Sequence, residues 1–323
     1  MKGDNLLNRR YYLGALCMSI LFILLLTSCS SKKNNMETEE KLTIYTTVYP
    51  LQFLIDKIGD KHVQVQSVYP PGADEHTFEP TQKTMMKIAD ADFFIYIGLG
   101  LEGFVEQSKN VFNNQQVDLL AAGEKLHLEA VQKTVDNERY RNEAEHQHGD
   151  IDPHVWLQPI YMKEMAKSIT ETLSKRMPEK RTLFEENYEL IASQLEELDA
   201  KFATLIETSK RNEIIVAHAA FGYWEKRYGL KQIPIAGIST TDEPSPKQLK
   251  EIIETIKKKN IRYLLLEQNV NTKMTDIVRS ETDTKVLTIH NLAVLSEKEI
   301  NQNEDYFSLM KQNLYTLKTV LNE

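Results

Sequence analysis

Residues 181–209, RTLFEENYELIASQLEELDAKFATLIETS, decide how the rest of the chain is read. Apolar side chains recur at Phe184, Tyr188, Ile191, Leu195, Leu198, Phe202 and Leu205, alternately four and three residues apart. That spacing returns to one face of an α-helix at every turn and predicts a single uninterrupted helix with one apolar stripe. At a 1.5 Å rise per residue it would be about 43 Å long. Such a stripe either seams two chains in a coiled coil or joins two parts of one chain. Its length, about three to four heptads, is short for a seam, and its flanks favour a spine between two lobes. A helical spine also limits how far lobes open, because bending a helix breaks its hydrogen-bond ladder.

On the N-terminal side, a β-branched run KLTIYTTVYP (41–50) is followed by the amphipathic LQFLIDKIG (51–59). Then come the alternating HVQVQSVYP (62–70), the helical PTQKTMMKIADA (80–91), the apolar DFFIYIG (92–98), a further helix and QVDLL (116–120). A second set follows the spine: EIIVAH (213–218), KQIPIAGI (231–238), a helix from Pro246 to about Lys259 and IRYLLLEQ (261–268). It closes with a helix near 272–281, KVLTIH (285–290) and a helix near 304–322. Strands alternating with helices specify parallel sheets. The expected fold is α/β: two parallel-sheet α/β lobes, 41–180 and 210–323, joined by a long rigid linking helix, 181–209.

The N-terminus has a different composition. Lys2, Arg9 and Arg10 precede the apolar LGALCMSILFILLLTSC (13–29), the pattern of an export signal over 1–28. The run is short of the roughly 20 residues that span a bilayer, so an uncleaved anchor helix fits less well. LTSC (26–29) resembles the bacterial lipoprotein box, with lipid attached to Cys29. Cleavage there removes Cys17, the only other cysteine. Neither a disulfide nor a thiolate metal site is then available, and a metal would need His, Asp or Glu. SSKKNNMETEE (30–40) is polar and without periodicity, so 29–40 is expected to be a flexible tether. The formal net charge of −8 gives no basic footprint for nucleic acid and is compatible with a cationic ligand.

Three histidines occupy strand-end or loop positions on both sides of the spine. His76 lies in YPPGADEHTFEPT (69–81), His154 in DIDPHVWLQP (150–159), and His218 closes EIIVAH. Ligands of open α/β sheets bind at the carboxyl ends of strands. A lone buried histidine is usually a core residue. Three in corresponding positions, on both sides of the spine, make a shared metal site an equal reading. His62 and His127 are expected on the surface, and Trp156 and Trp224 in core packing beside the site. GLGLEG (98–103) satisfies G-x-G-x-x-G, but it follows a third strand and has no clear acidic partner at a strand end about 20 residues on. It is read as a flexible loop at the cleft edge. No H-E-x-x-H, G-x-S-x-G or P-loop pattern occurs.

Five stretches in order carry a family resemblance: TTVYPLQFLIDKIG (46–59), PPGADEHTFEPT (70–81), DPHVWLQP (152–159), AHAAFGYWEKRYGL (217–230) and ISTTDEPSPKQL (238–249). Together with the lipobox they resemble the zinc-binding lipoproteins of bacterial metal ABC importers, the ZnuA/AdcA type, over essentially the whole chain after the leader. The resemblance implies a metal site in the interlobe cleft and a non-enzymatic role. A Zn²⁺ ion would be captured on the outer face of the bacterial cytoplasmic membrane and delivered to an ABC permease, by a monomer anchored through Cys29. It also implies His76, His154 and His218 as ligands. Manganese-type relatives carry a carboxylate where this chain has His218, and three imidazoles suit zinc better than Mn²⁺.

The fourth ligand does not carry over. Many relatives supply Asp or Glu after the last strand, where this chain has Ala293. Glu75, a water, or His290 at the end of its strand remain as alternatives. His146 and His148 lie in NERYRNEAEHQHGD (137–150), where the family often carries a longer His-rich loop thought to gather metal. A solvated loop is an equally good reading of only two histidines. Other readings are a manganese-importer component, a surface adhesin and, more remotely, a zinc hydrolase. The last would require an open metal position and a general base.

Overall fold

The alternation of strands and helices occurs twice, with the same topology each time. The computed structural model describes residues 41–112, 115–128, 151–268 and 273–323. The leader, Cys29, the tether, His146 and His148 lie outside them. The first lobe runs β1 (Leu42–Thr46), α1 (Tyr49–Gly59), β2 (Val63–Ser67), α2 (Gln82–Ala89), β3 (Phe93–Tyr96), α3 (Gly103–Phe112) and β4 (Asp118–Ala121). Its strands are all parallel, in the order β2-β1-β3-β4. After α4 (Pro159–Arg176) and α5 (Arg181–Glu207) the second lobe begins. It runs β5 (Glu213–Val216), α6 (Gly222–Tyr228), β6 (Lys231–Pro234), α7 (Pro246–Lys259), β7 (Tyr263–Leu266), α8 (Lys273–Thr282) and β8 (Lys285–Thr288). Its order is β6-β5-β7-β8, again all parallel. α9 (Glu297–Asn301) and α10 (Tyr306–Asn322) complete the chain.

In each sheet the winding reverses between the first and third strands, leaving a crevice at their carboxyl ends. All four residues of β3 are buried, as expected for a parallel strand covered on both faces. Local chemistry starts the helices. Pro159 opens α4 while the Gln158 side chain accepts from Tyr161 N. Ser245 and Gln248 form a capping box on α7, followed by Pro246 at its first position. α6 ends at Gly229 in the left-handed region, with φ 77°.

α5 follows the stripe read from its sequence. Phe184, Ile191, Leu195, Leu198 and Phe202 are buried, while Tyr188 and Leu205 are partly buried. Its 27 residues span about 40 Å. It packs against α4, α1, α10 and α6. Asp199, on the same face, accepts from Arg227 Nε and Nη2 (3.1 and 2.7 Å) and from Tyr228 OH (2.8 Å). That ties the spine to the helix that follows His218.

Hydrogen bonds also cross directly between the segments of the two lobes. Tyr49 N donates to Ala293 O (2.8 Å), Trp224 Nε1 to Leu157 O (2.7 Å) and Tyr306 OH to Trp156 O (2.9 Å). Both tryptophans are fully buried, as read from the sequence.

Two expectations are corrected. His62 is buried, with its ring edge-on to Phe184 at 6.3 Å between centroids. It sits in a 3-10 turn, Asp60–His62, rather than in the strand that follows, so strand alternation does not place it. GLGLEG is a tied turn rather than a flexible loop. Gly98, Leu99 and Gly100 all have positive φ, and the buried Glu102 carboxylate accepts from Ile97 N, Gly98 N and Thr47 Oγ1.

Candidate metal centre

The site begins with three imidazoles delivered by three different segments. His76 lies in the loop between β2 and α2, where its N–H donates to Asp74 Oδ1 (3.0 Å). His154 precedes a 3-10 turn, Val155–Leu157, which leads into α4. His218 lies two residues past β5, at the crevice between β5 and β7. His154 and His218 are both 0% exposed.

The Nε2 atoms converge. His154 Nε2 lies 3.2 Å from His76 Nε2 and 3.2 Å from His218 Nε2. Tetrahedral zinc with Zn–N bonds of 2.0–2.1 Å places its donors about 3.3–3.4 Å apart, so this spacing is close to what a shared metal would need. The ring tautomers fit the same reading. His154 Nδ1 lies 2.7 Å from Asp152 Oδ1, and His218 Nδ1 lies 2.5 Å from Glu267 Oε1. The Asp152 hydrogen bond keeps the proton on His154 Nδ1 and leaves its Nε2 lone pair facing inward, and Glu267, in ion-pair contact with His218 Nδ1 without hydrogen-bond geometry, favours the proton on that nitrogen electrostatically. Lone pairs turned toward one another repel unless a cation stands between them.

Glu75 completes the group. One ligand atom from each of Glu75, His76, His154 and His218 lies within 4.8 Å of all the others, with Glu75 and the last two histidines buried. Glu75 Oε1 is 4.0 Å from His76 Nε2 and accepts from Asn291 Nδ2 at 2.8 Å. Burial, then the charge of Glu267, pushes its carboxyl up to about 7. Burial, then the neighbouring His154 and His218, pushes His76 down to about 3. For His218, burial works downward, but Glu267 and the other nearby carboxylates outweigh it and raise the imidazole.

Three contributors were not singled out in the sequence: Asp152, Glu267 and Asn291. Glu267 had a signal, a carboxylate directly after the apolar strand YLLL. Asp152 is admitted by a glycine, since a Cβ on Gly222 would meet Asp152 Oδ2 at 2.7 Å. His290 is not brought into the four-residue group. Its Nδ1 lies 3.0 Å from Glu299 Oε1, and its backbone is clasped by the Asn313 side chain at both N–H and C=O. Ala293 offers its backbone carbonyl to Tyr49. His127 is exposed.

With this geometry established, the comparisons with known proteins are decisive. The family described as zinc-uptake complex component A, periplasmic, matches residues 44–320. The chain belongs to this family. The high-affinity zinc uptake system protein ZnuA of Bacillus subtilis is 32% identical over 301 residues, covering 92% of this chain and 94% of that protein. The zinc-binding lipoprotein AdcA of Streptococcus pneumoniae is 30% identical over 310 residues, 96% of this chain. The chain spans only 61% of that relative's length. The Zn(II)-bound ZnuA-like domain of pneumococcal AdcA superposes with a TM-score of 0.72 at 30% identity, over 88% of this chain and 100% of that domain. The laminin-binding protein of Streptococcus agalactiae, whose structure is described as bifunctional with adhesin and metal-transporting activity, gives 0.75 at 27% identity, over 88% of this chain and 100% of its own. The fold of this uptake-component family is therefore the two-lobed α/β fold read from the sequence.

Proposed function

We propose that this chain is an extracytoplasmic zinc-binding lipoprotein that captures Zn²⁺ and hands it to an ABC permease. The observation that supports this best is the convergence of three Nε2 atoms with carboxylate-backed Nδ1 positions on two of the rings. His76, His154 and His218 are the proposed ligands, with Glu75 as the fourth. Three imidazoles and one carboxylate suit tetrahedral zinc better than manganese, which favours oxygen-rich octahedral sites. As a fourth ligand, Glu75 would take the position that a hydrolytic site leaves for its reactive water, which favours a carrier over a catalyst. The protein would act as a monomer, tethered through lipid on Cys29, with the metal as cargo.

The test is metal analysis of protein purified without added metal, joined to anomalous scattering at the zinc edge. One zinc per chain, with its scattering peak among the three Nε2 atoms, is expected. Metal-free protein that binds no added zinc, or a peak elsewhere, would overturn the reading.

A further inference from the structure

Asn291 stands between the two halves of the site. Its Nδ2 donates to Glu75 Oε1 at 2.8 Å, joining residues 216 positions apart in the chain. Two further bonds hold Asn291 itself. Its Oδ1 accepts from Ala293 N at 3.0 Å, and its backbone carbonyl accepts from the buried Trp156 Nε1 at 2.6 Å. The Ala293 bond fixes which way the amide faces: with Oδ1 occupied by a donor, the NH₂ group must be the one that meets Glu75. Trp156 is two residues from His154, so Asn291 is registered against one histidine segment while it holds the carboxylate beside another.

A carboxylate can give a metal one oxygen or two. The Asn291 bond holds Oε1, the oxygen that lies 4.0 Å from His76 Nε2, and so fixes the plane of the carboxylate; held in that plane, the group offers an ion the remaining lone pair of one oxygen instead of swinging to present both. One oxygen with three imidazole nitrogens makes a four-coordinate site, the geometry zinc prefers. Two oxygens would raise the coordination number and the oxygen share, which favours harder ions such as Mn²⁺. Resting on the reading that these four groups hold zinc, we propose that Asn291 is a positioning residue. It limits Glu75 to one oxygen donor and so sets the discrimination of Zn²⁺ from Mn²⁺.

Zn²⁺ and Mn²⁺ affinities are measured by chelator competition in the wild type, Asn291→Ala, Glu75→Ala and the double variant. Co²⁺ absorption reports coordination number, because four-coordinate cobalt absorbs more strongly than five-coordinate. Asn291→Ala is expected to weaken zinc about tenfold, the scale of ligand-orienting residues, with a smaller change for manganese. The Co²⁺ bands should weaken in parallel. In the Glu75→Ala background the same substitution should add nothing. Asn291→Asp keeps the acceptor for Ala293 N and the side-chain shape while removing the donor. It covers the case in which the alanine variant does not fold, and the same fall in the zinc-to-manganese ratio is expected. An unchanged ratio and unchanged Co²⁺ spectrum in the folded variant would overturn the proposal, as would an undiminished Asn291 effect without Glu75. Failure of the wild type to bind zinc would instead remove the functional reading on which it rests.

Discussion

His154 and His218 are braced, whereas His76 is presented. The first two are fully buried, each with Nδ1 on a buried carboxylate, Asp152 or Glu267. His76 rides on the loop between β2 and α2, and its hold is through the backbone, from its N–H to Asp74 Oδ1. Asp74 in turn takes a hydrogen bond from Thr240 Oγ1 of the second lobe, at 2.6 Å. Two imidazoles therefore have their rings set by neighbours in the core. The third is set by a loop whose anchor depends on the opposite lobe. Under the proposed capture and release of zinc, this arrangement would supply two donors set in the core and one carried on a loop tied to the opposite lobe.

The comparison breaks most directly by removing the proposed ligands. Alanine at His154 or His218 should weaken zinc at least about a hundredfold, or about 2.7 kcal/mol. His76→Ala should cost less, because its loop can resettle and admit a water in its place. Chelator competition on the three variants decides this, and equal losses would show that the arm is as rigid as the core pair. One step out, Asp152→Asn and Glu267→Gln should each weaken zinc by about ten- to a hundredfold, since both orient a ring and raise its basicity. Losses below about twofold would mean the carboxylates shape the fold without tuning the metal.

Protonation separates the same pair of arrangements. Metal binding requires neutral imidazole and ionised carboxylate. His76, pushed down to about 3, is already neutral at neutral pH and has no proton to displace. His218 is raised, with Glu267 the leading upward influence against burial, and Glu75 is pushed up to about 7. Glu75 takes up a proton as pH falls through about 7, and the raised His218 competes for its proton in the same sense, so zinc affinity must fall with pH. The expected slope is about tenfold per pH unit for each proton displaced, measured from about pH 8 to about pH 6. Glu267→Gln lowers the His218 pKa and should flatten the profile. A profile that stays flat in the wild type would contradict the assigned protonation states.

Much of this arrangement was legible before any coordinates, and the reasons differ by element. α5 was readable because a stripe with helical period carries its own direction. The parallel sheets were readable because β-branched and apolar runs alternate with helical ones. The three histidine segments were marked by Pro, Gly and strand ends. Asp152, Glu267 and Asn291 were not singled out, because what they do depends on side chains meeting across elements. Asn291 reaches Glu75 from 216 residues away, a relation that no local spacing encodes. His62 was misplaced because it has no supporting cluster in the sequence, and its burial comes from a 3-10 turn that sets its ring against Phe184, far away in the chain.

His290 supplies the smallest expected effect and the sharpest control. It stands at the end of β8 in the second lobe, much as His218 follows β5, so strand-end position alone would nominate both. Their partners distinguish them. His218 has its Nδ1 on Glu267 and its Nε2 toward His154, while His290 has its Nδ1 on Glu299, at the N-terminal capping box of α9. Its backbone is fixed by Asn313 from α10. These ties put His290 in the packing of the C-terminal helices. His290→Ala should therefore change zinc affinity by less than about threefold, while lowering stability by about 1–2 kcal/mol through the lost Glu299 contact. Denaturant unfolding of the apo protein reads the second effect and chelator competition the first. If affinity fell tenfold or more with stability unchanged, His290 would be a metal ligand, and the fourth position assigned to Glu75 would pass to it.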